Sequence, residues 1–236
     1  MTQVQRWHAA IALVLLLLAL LLGVLAALAY LYPAVSEALP FQQMRPAHVS
    51  AALFWIITGA TAGVMHYKEE VFLQTRSTIL HRVFLVIWTG TIAAVFIAYA
   101  TKHFGGREYW EFPPLLAIPL LLAWLLLMAD YFRAWLRRHP DPPLYVWMWT
   151  TGIVFFLITF IEQNLWQVSW FRDTYMREIS VQWKSNGAMV GAWNQMIYGT
   201  ALYLMTRISG DESIARGPSA FAFWFLGLAN LMFNWG

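Results

Sequence analysis

Apolar residues in this chain do not recur every third or fourth position as they do on a half-buried helix; they run on without a break. From Trp7 to Leu31 almost every position is Leu, Ala, Ile or Val, and further runs follow at 48–67, 79–101, 114–135, 143–165, 179–207 and 216–236. Each lies near the ~20 residues that carry an α-helix across a bilayer core. A helix that is apolar on every face belongs in lipid or in a deep interior. The pattern predicts an all-α, polytopic membrane helix bundle of about seven transmembrane helices. The first run is too long for a signal-peptide core and no small-residue cleavage site follows it, so it reads as a retained span. The connections are short and show neither repeat nor low-complexity tract, so residues 1–236 read as a single transmembrane domain. Gly217-Pro218 opens the last run as a helix start, and the chain reaches Phe233-Asn234-Trp235-Gly236 with no polar tail, as if it stopped within a helix.

Composition narrows the chemistry. The chain is 60% hydrophobic and 11% charged, where soluble proteins carry roughly a quarter charged residues. With no Cys there is no disulfide, thiolate zinc site, iron–sulfur cluster or thioether-linked haem, so any metal must use nitrogen or oxygen ligands. The net charge of +3 reflects basic loops of a membrane protein and not nucleic-acid binding. With the N-terminus in the cytoplasm, nine basic residues fall on the inner side (Arg6, Lys68, Arg76, Arg82, Arg133, Arg137, Arg138, Arg207, Arg216) and six on the outer (Arg45, Lys102, Arg107, Arg172, Arg177, Lys184). That excess favours a cytoplasmic N-terminus and sets Arg45, His48, the 105–114 loop and the 166–184 segment toward the outer side.

Three features carry candidate chemistry. Arg45-Pro46-Ala47-His48 opens the second span; His48 is either an interfacial hydrogen-bonder or an axial haem ligand, with Arg45 on the same face to neutralise a propionate. Gly105-Gly106-Arg107-Glu108-Tyr109-Trp110-Glu111-Phe112-Pro113-Pro114 is either a solvated loop with partly paired charges or a calcium site built from carboxylate and carbonyl oxygens. In the sixth span Asn186, Val190 and Asn194 recur every four residues and share a face beside Ser185 and Gln195. Such polar density either joins helices or marks a cavity or cofactor site. His8, His66, His81, His103 and His139 form no ligand pair with His48 by spacing, and Lys68-Glu69-Glu70 reads as a solvated helix end. There is no phosphate-cradling glycine loop, nucleophile elbow or hydrolase triad. A transporter would show broken helices or internal repeats.

These features, in this order, resemble the catalytic subunit of bacterial nitric oxide reductases, a branch of the haem-copper oxidase superfamily, over essentially the whole chain. The resemblance implies the N-terminal part of a subunit I-like fold. It makes His48 the low-spin haem ligand, with Arg45 beside it, and Glu111 a calcium-bridging carboxylate through the match at Gly106-Arg107-Glu108. Trp55 and Gly59 fall at family positions, Gly59 offering calcium a carbonyl, and Thr61 stands where the family has a calcium-binding Tyr. The reductases' sixth helix carries His-x-x-x-Glu-Gly-x-Trp-Glu; with Gly191 and Trp193 aligned, Asn186 replaces the metal-binding His, and Val190 and Asn194 replace the two Glu. That pattern, with Gln182-Trp183-Lys184-Ser185-Asn186-Gly187, resembles proteins proposed to be nitric oxide dismutases, which would convert two NO into N2 and O2. Asn186, Val190 and Asn194 are then the catalytic face, with Asn186 offering an amide oxygen to a non-haem metal. The alternatives are a nitric oxide reductase forming nitrous oxide, another haem-copper oxidase subunit I, an inactive paralogue or a non-enzymatic membrane protein. The resemblance places the remaining ligands, for a high-spin haem and a non-haem iron or copper, beyond this sequence. The chain is therefore expected to be an N-terminal fragment or one piece of a split gene, inactive by itself. The implied partners are nitric oxide and membrane lipid, in a bacterial inner membrane, with an electron donor, a quinol or a cytochrome, left open.

Overall fold

The structure, a computed structural model, describes residues 2–73, 79–136 and 141–233. Arg76, Arg137 and Arg138 of the charge count, His139 and the terminal Asn234-Trp235-Gly236 lie outside the described residues. Every regular element among the described residues is helical: α1 (Gln3–Leu31), a short α2 (Pro33–Ala38), α3 (Phe41–Val71), α4 (Ile79–Ala100), α5 (Ala117–Trp135), α6 (Leu144–Glu162), a single turn α7 (Ser169–Arg172), α8 (Tyr175–Ser209) and α9 (Pro218–Phe233).

Local chemistry sets the ends of these helices. Thr2 caps α1 reciprocally with Gln5: its hydroxyl accepts from Gln5 N–H at 3.3 Å and its own N–H donates to Gln5 Oε1 at 2.7 Å. Proline, which has no N–H to leave unsatisfied in a first turn, opens α2 at Pro33 and stands in the turn that leads into α5 at Pro114. Pro143 occupies the cap before α6. Helix α8 stops at Gly210, whose left-handed backbone (φ 71°) lets its N–H return to Thr206 O at 3.0 Å.

Five helical segments are long and apolar enough to cross a membrane: Gln3–Leu31, Phe41–Val71, Ile79–Ala100, Pro114–Trp135 and Leu144–Gln167. They match the first five predicted spans. Helix α8 is long, at 35 residues, but its amides keep it below that apolarity. Helix α9 has 16 residues.

The chain forms two compact units. In the first, residues 1–62 and 76–127, α1, most of α3, α4 and the start of α5 pack around Phe54, Phe84, Trp88 and Trp124, all buried. Trp88 stacks on Phe84 and donates its indole N–H to Thr58 Oγ1 at 3.0 Å. The second unit, residues 63–75 and 128–236, is built on the α6–α8 pair. Gly152 and Gly199 are contact points there: a Cβ on Gly152 would lie 2.6 Å from the Ala192 carbonyl oxygen, and one on Gly199 would lie 2.7 Å from the Trp149 ring. Small residues thus let the two backbones approach, as in membrane helix pairs generally.

Candidate functional site

In the first unit, His48 stands two turns into α3, half-buried. Its Nδ1 lies 2.8 Å from the Ala19 carbonyl of α1. A carbonyl can only accept, so Nδ1 carries the proton and Nε2 keeps the lone pair. A histidine whose far nitrogen donates to a backbone carbonyl has the tautomer and fixed ring that metal ligation uses. The residues at this position therefore fit a haem iron. Arg45, a turn earlier, reaches Glu111 with Nη2 to Oε1 at 2.5 Å. One of its five N–H donors is used there, leaving the others for a further anion.

The loop that carries Glu111 is folded tightly against α3 and is not simply solvated. Trp110 N–H returns to Arg107 O at 2.9 Å, and the N–H groups of Gly105 and Gly106 donate to the Glu111 carbonyl at 3.1 and 3.3 Å. Tyr109 takes the left-handed conformation at the tip (φ 73°). A Cβ on Gly106 would collide with the Trp110 carbonyl, so the turn requires glycine. Trp110 and Phe112 are buried against Phe54, with ring centroids 5.4 and 6.4 Å away. The two aromatics anchor the loop and hold Glu111 opposite Arg45.

The expected calcium site is not assembled. Gly59 and Thr61 are 14 and 16 residues beyond Arg45 on the continuous helix α3, about 21 and 24 Å along its axis at ~1.5 Å per residue. Neither can share an ion with Glu111. Thr61 is engaged elsewhere: its hydroxyl donates to Ile57 O at 2.8 Å and lies 3.2 Å from His8 Nε2. Glu111 already faces a cation in Arg45. Among the described residues no group of three or more His, Asp or Glu is placed to hold a metal.

In the second unit, α8 carries Asn186, Val190 and Asn194 as predicted on one face. Val190 is 39% exposed. Asn186 Oδ1 accepts from Nε2 of Gln163, the residue that ends α6, at 2.7 Å and from Gln182 Nε2 at 3.1 Å. Both lone pairs of that oxygen are occupied, so the amide is a link between helices and not a vacant metal ligand; the residues here do not fit a non-haem metal. Beside it Lys184 Nζ bonds both carboxylate oxygens of Glu162, at 2.5 and 2.6 Å. Gly191 gives α9 room, since a Cβ there would lie 2.6 Å from Leu231.

Sequence reasoning missed two constellations. His8 and His81, which fall near the starts of the first and third predicted spans, are fully buried and meet, His8 Nδ1 to His81 Nε2 at 3.1 Å. Because the Thr61 hydroxyl donates to Ile57, it accepts from His8 Nε2; His8 Nδ1 then accepts from His81. Seventy-three residues separate the two histidines, and no local motif announces them. In the second unit the Lys68-Glu69-Glu70 run is solvated only in part: Lys68 is buried in a salt bridge with Asp130 of α5, while Glu70, exposed, accepts from the Tyr203 hydroxyl at 2.7 Å. Asp130 was the available signal, a lone carboxylate in an apolar span that needs a partner.

Residues 3–236 match the family described as Cytochrome C and Quinol oxidase polypeptide I. No curated protein matches the chain.

Proposed function

We propose that this chain, which belongs to the cytochrome c and quinol oxidase polypeptide I family, is part of a membrane enzyme that dismutes nitric oxide, two NO giving N2 and O2. Family membership and five apolar helices make it an integral membrane protein of haem-copper oxidase type, and so an oxidoreductase by class. In our reading α8 and α9 complete seven spans in a bacterial cytoplasmic membrane, with the N-terminus inside. His48 would hold a low-spin haem through Nε2, and Arg45 would face a propionate with the donors that Glu111 leaves unused. The bound haem supplies one-electron redox chemistry. The polypeptide's part is to orient the imidazole from α1.

The observation that supports dismutation over reduction is the chemistry of α8. From Ser185 to Thr206 the helix carries no acidic, basic or imidazole side chain. At the positions where the resemblance implies a His and two Glu stand Asn186, Val190 and Asn194. Reduction of two NO to nitrous oxide and water takes up two protons and two electrons, and needs groups that relay protons to a buried centre. Dismutation takes up neither: the electrons that reduce both nitrogens come from the two oxygens, which leave as O2. A helix with neutral amides and an alkyl group suits the second reaction.

The test supplies the holoenzyme with isotope-labelled NO in the absence of an electron donor. Labelled N2 and O2 appearing together is the expected result. Donor-dependent nitrous oxide as the sole product overturns dismutation in favour of reduction. Asn186→His combined with Val190→Glu should move product toward donor-dependent nitrous oxide, since an imidazole and a carboxylate are then restored.

A further inference from the structure

The imidazole of His48 reaches a carbonyl that a helix normally covers. In α1 the carbonyl of Ala19 already accepts from the N–H of residue 23, one turn on. Helical side chains lean toward the N-terminus, so the side chain at 23 would overhang that carbonyl. Residue 23 is glycine. A Cβ built there would lie 2.9 Å from His48 Cε1, 3.0 Å from Nδ1 and 3.7 Å from Nε2. The ring therefore occupies the space that any side chain at 23 would take.

We infer that Gly23 is a positioning residue for the haem ligand: having no side chain, it uncovers the Ala19 carbonyl and lets His48 dock there with its tautomer and ring plane fixed. The inference rests on the reading of His48 as the low-spin ligand and assigns α1 a role in it. The geometry sets the size of the effect. To reach an ordinary carbon contact of ~3.5 Å, the ring must retreat from an added methyl by about 0.6 Å. Such a retreat stretches the 2.8 Å hydrogen bond to about 3.4 Å, outside the range of N–H···O bonds. The imidazole then loses the partner that fixes its proton on Nδ1, and with it the orientation of the Nε2 lone pair. Losing such a supporting hydrogen bond weakens metal binding by about 10-fold or more in other proteins.

The experiment compares Gly23→Ala with Val24→Ala, which changes an exposed neighbour on the same helix, in haem-loaded protein purified in detergent. Gly23→Ala should lower low-spin haem retention about 10-fold and broaden the low-spin electron paramagnetic resonance signal. Val24→Ala should do neither. Low-spin retention and signal unchanged in Gly23→Ala would overturn the inference. The melting temperatures of the apoproteins give a second readout through a double-mutant cycle with His48→Ala. Gly23→Ala should lower the melting temperature when His48 is present and leave it unchanged when the imidazole is gone. Equal losses in both backgrounds, or failure of both to fold, would make Gly23 a general packing residue and defeat the proposal. Folding only in the His48→Ala background would support it. Low-spin bands that survive His48→Ala refute the ligand reading itself, while coupling between positions 23 and 48 is still read from the melting temperatures.

Discussion

Lys68 and Asp130 form a pair in which each side chain is only 1% exposed. Asp130→Asn removes the carboxylate that faces the buried Lys68 ammonium, and Lys68→Met removes the ammonium that faces Asp130. Removing one member of a buried ion pair costs about 3–5 kcal/mol, because the survivor keeps its desolvation penalty and loses its compensation. Domain stabilities are about 5–15 kcal/mol, so either substitution should remove a large part of the stability of the second unit. The double variant Lys68→Met/Asp130→Leu buries no charge and should recover most of the loss, since apolar replacements of buried pairs are often neutral or stabilising by about 1–4 kcal/mol. The assay is reversible unfolding in mixed detergent followed by tryptophan fluorescence, with all four proteins measured as a cycle. Single substitutions that each cost less than about 1 kcal/mol would mean that water reaches the pair. A double variant showing the sum of two large losses would mean that the side chains matter for shape and not for charge. Either result would refute the reasoning.

Two further predictions concern the loop after α4. Because the Arg45 guanidinium already supplies Glu111 with a counter-charge, chelators should leave haem retention unchanged and Glu111→Gln should cost under about 1 kcal/mol, the scale of a partly exposed pair; haem released by chelation would restore the calcium reading. Gly106→Ala places a methyl against the Trp110 carbonyl and should destabilise by about 1–3 kcal/mol, seen as a red-shifted, more quenchable tryptophan emission; a loss below about 0.5 kcal/mol would mean that the turn opens at no cost.

The spans were legible because lipid imposes a length and an apolarity on every crossing helix, and the first five predicted segments coincide with helices of that kind. Helix α8 was harder. Its Asn186, Asn194 and Gln195 weaken the apolar signal, and the helix begins earlier than its apolar run, at Tyr175. The Arg45/His48 spacing was readable because three residues is a helical repeat. That His48 docks on Ala19 was not, since the contact joins two helices and its signal is an absence, the missing side chain of Gly23. That Gly59 and Thr61 do not join Glu111 was hidden for a related reason. Gly59, Thr61 and Glu111 were grouped by family position, and only the continuity of α3 shows how far along the helix the first two lie from Arg45 and so from Glu111. The buried polar groups were legible as a demand but not as a pairing: a carboxylate at 130 needs a cation, and the sequence offers several.

The amide network of α8 bears on why carboxylates are missing from its 185–206 stretch. Gln163 and Gln182 both present N–H donors to one oxygen of Asn186. Donors converging on an oxygen stabilise a carboxylate more strongly than an amide, because hydrogen bonds to ionised acceptors are shorter and roughly twice as strong. An aspartate at 186 would therefore meet a surround already arranged for negative charge, with the Lys184–Glu162 pair two residues away. Packing does not forbid an acid here. At Val190, 39% exposed within this chain, a longer polar side chain would likewise meet no wall. The neutral face thus follows from the residues chosen and not from a fold that excludes alternatives. On the proposed reaction this choice has a chemical meaning. An enzyme that imports no protons has no use for a proton-relaying carboxylate on this face. The Gln163–Asn186 amide contact and the Lys184–Glu162 pair hold this end of α8 in place, while the face of Asn186, Val190 and Asn194 itself stays uncharged.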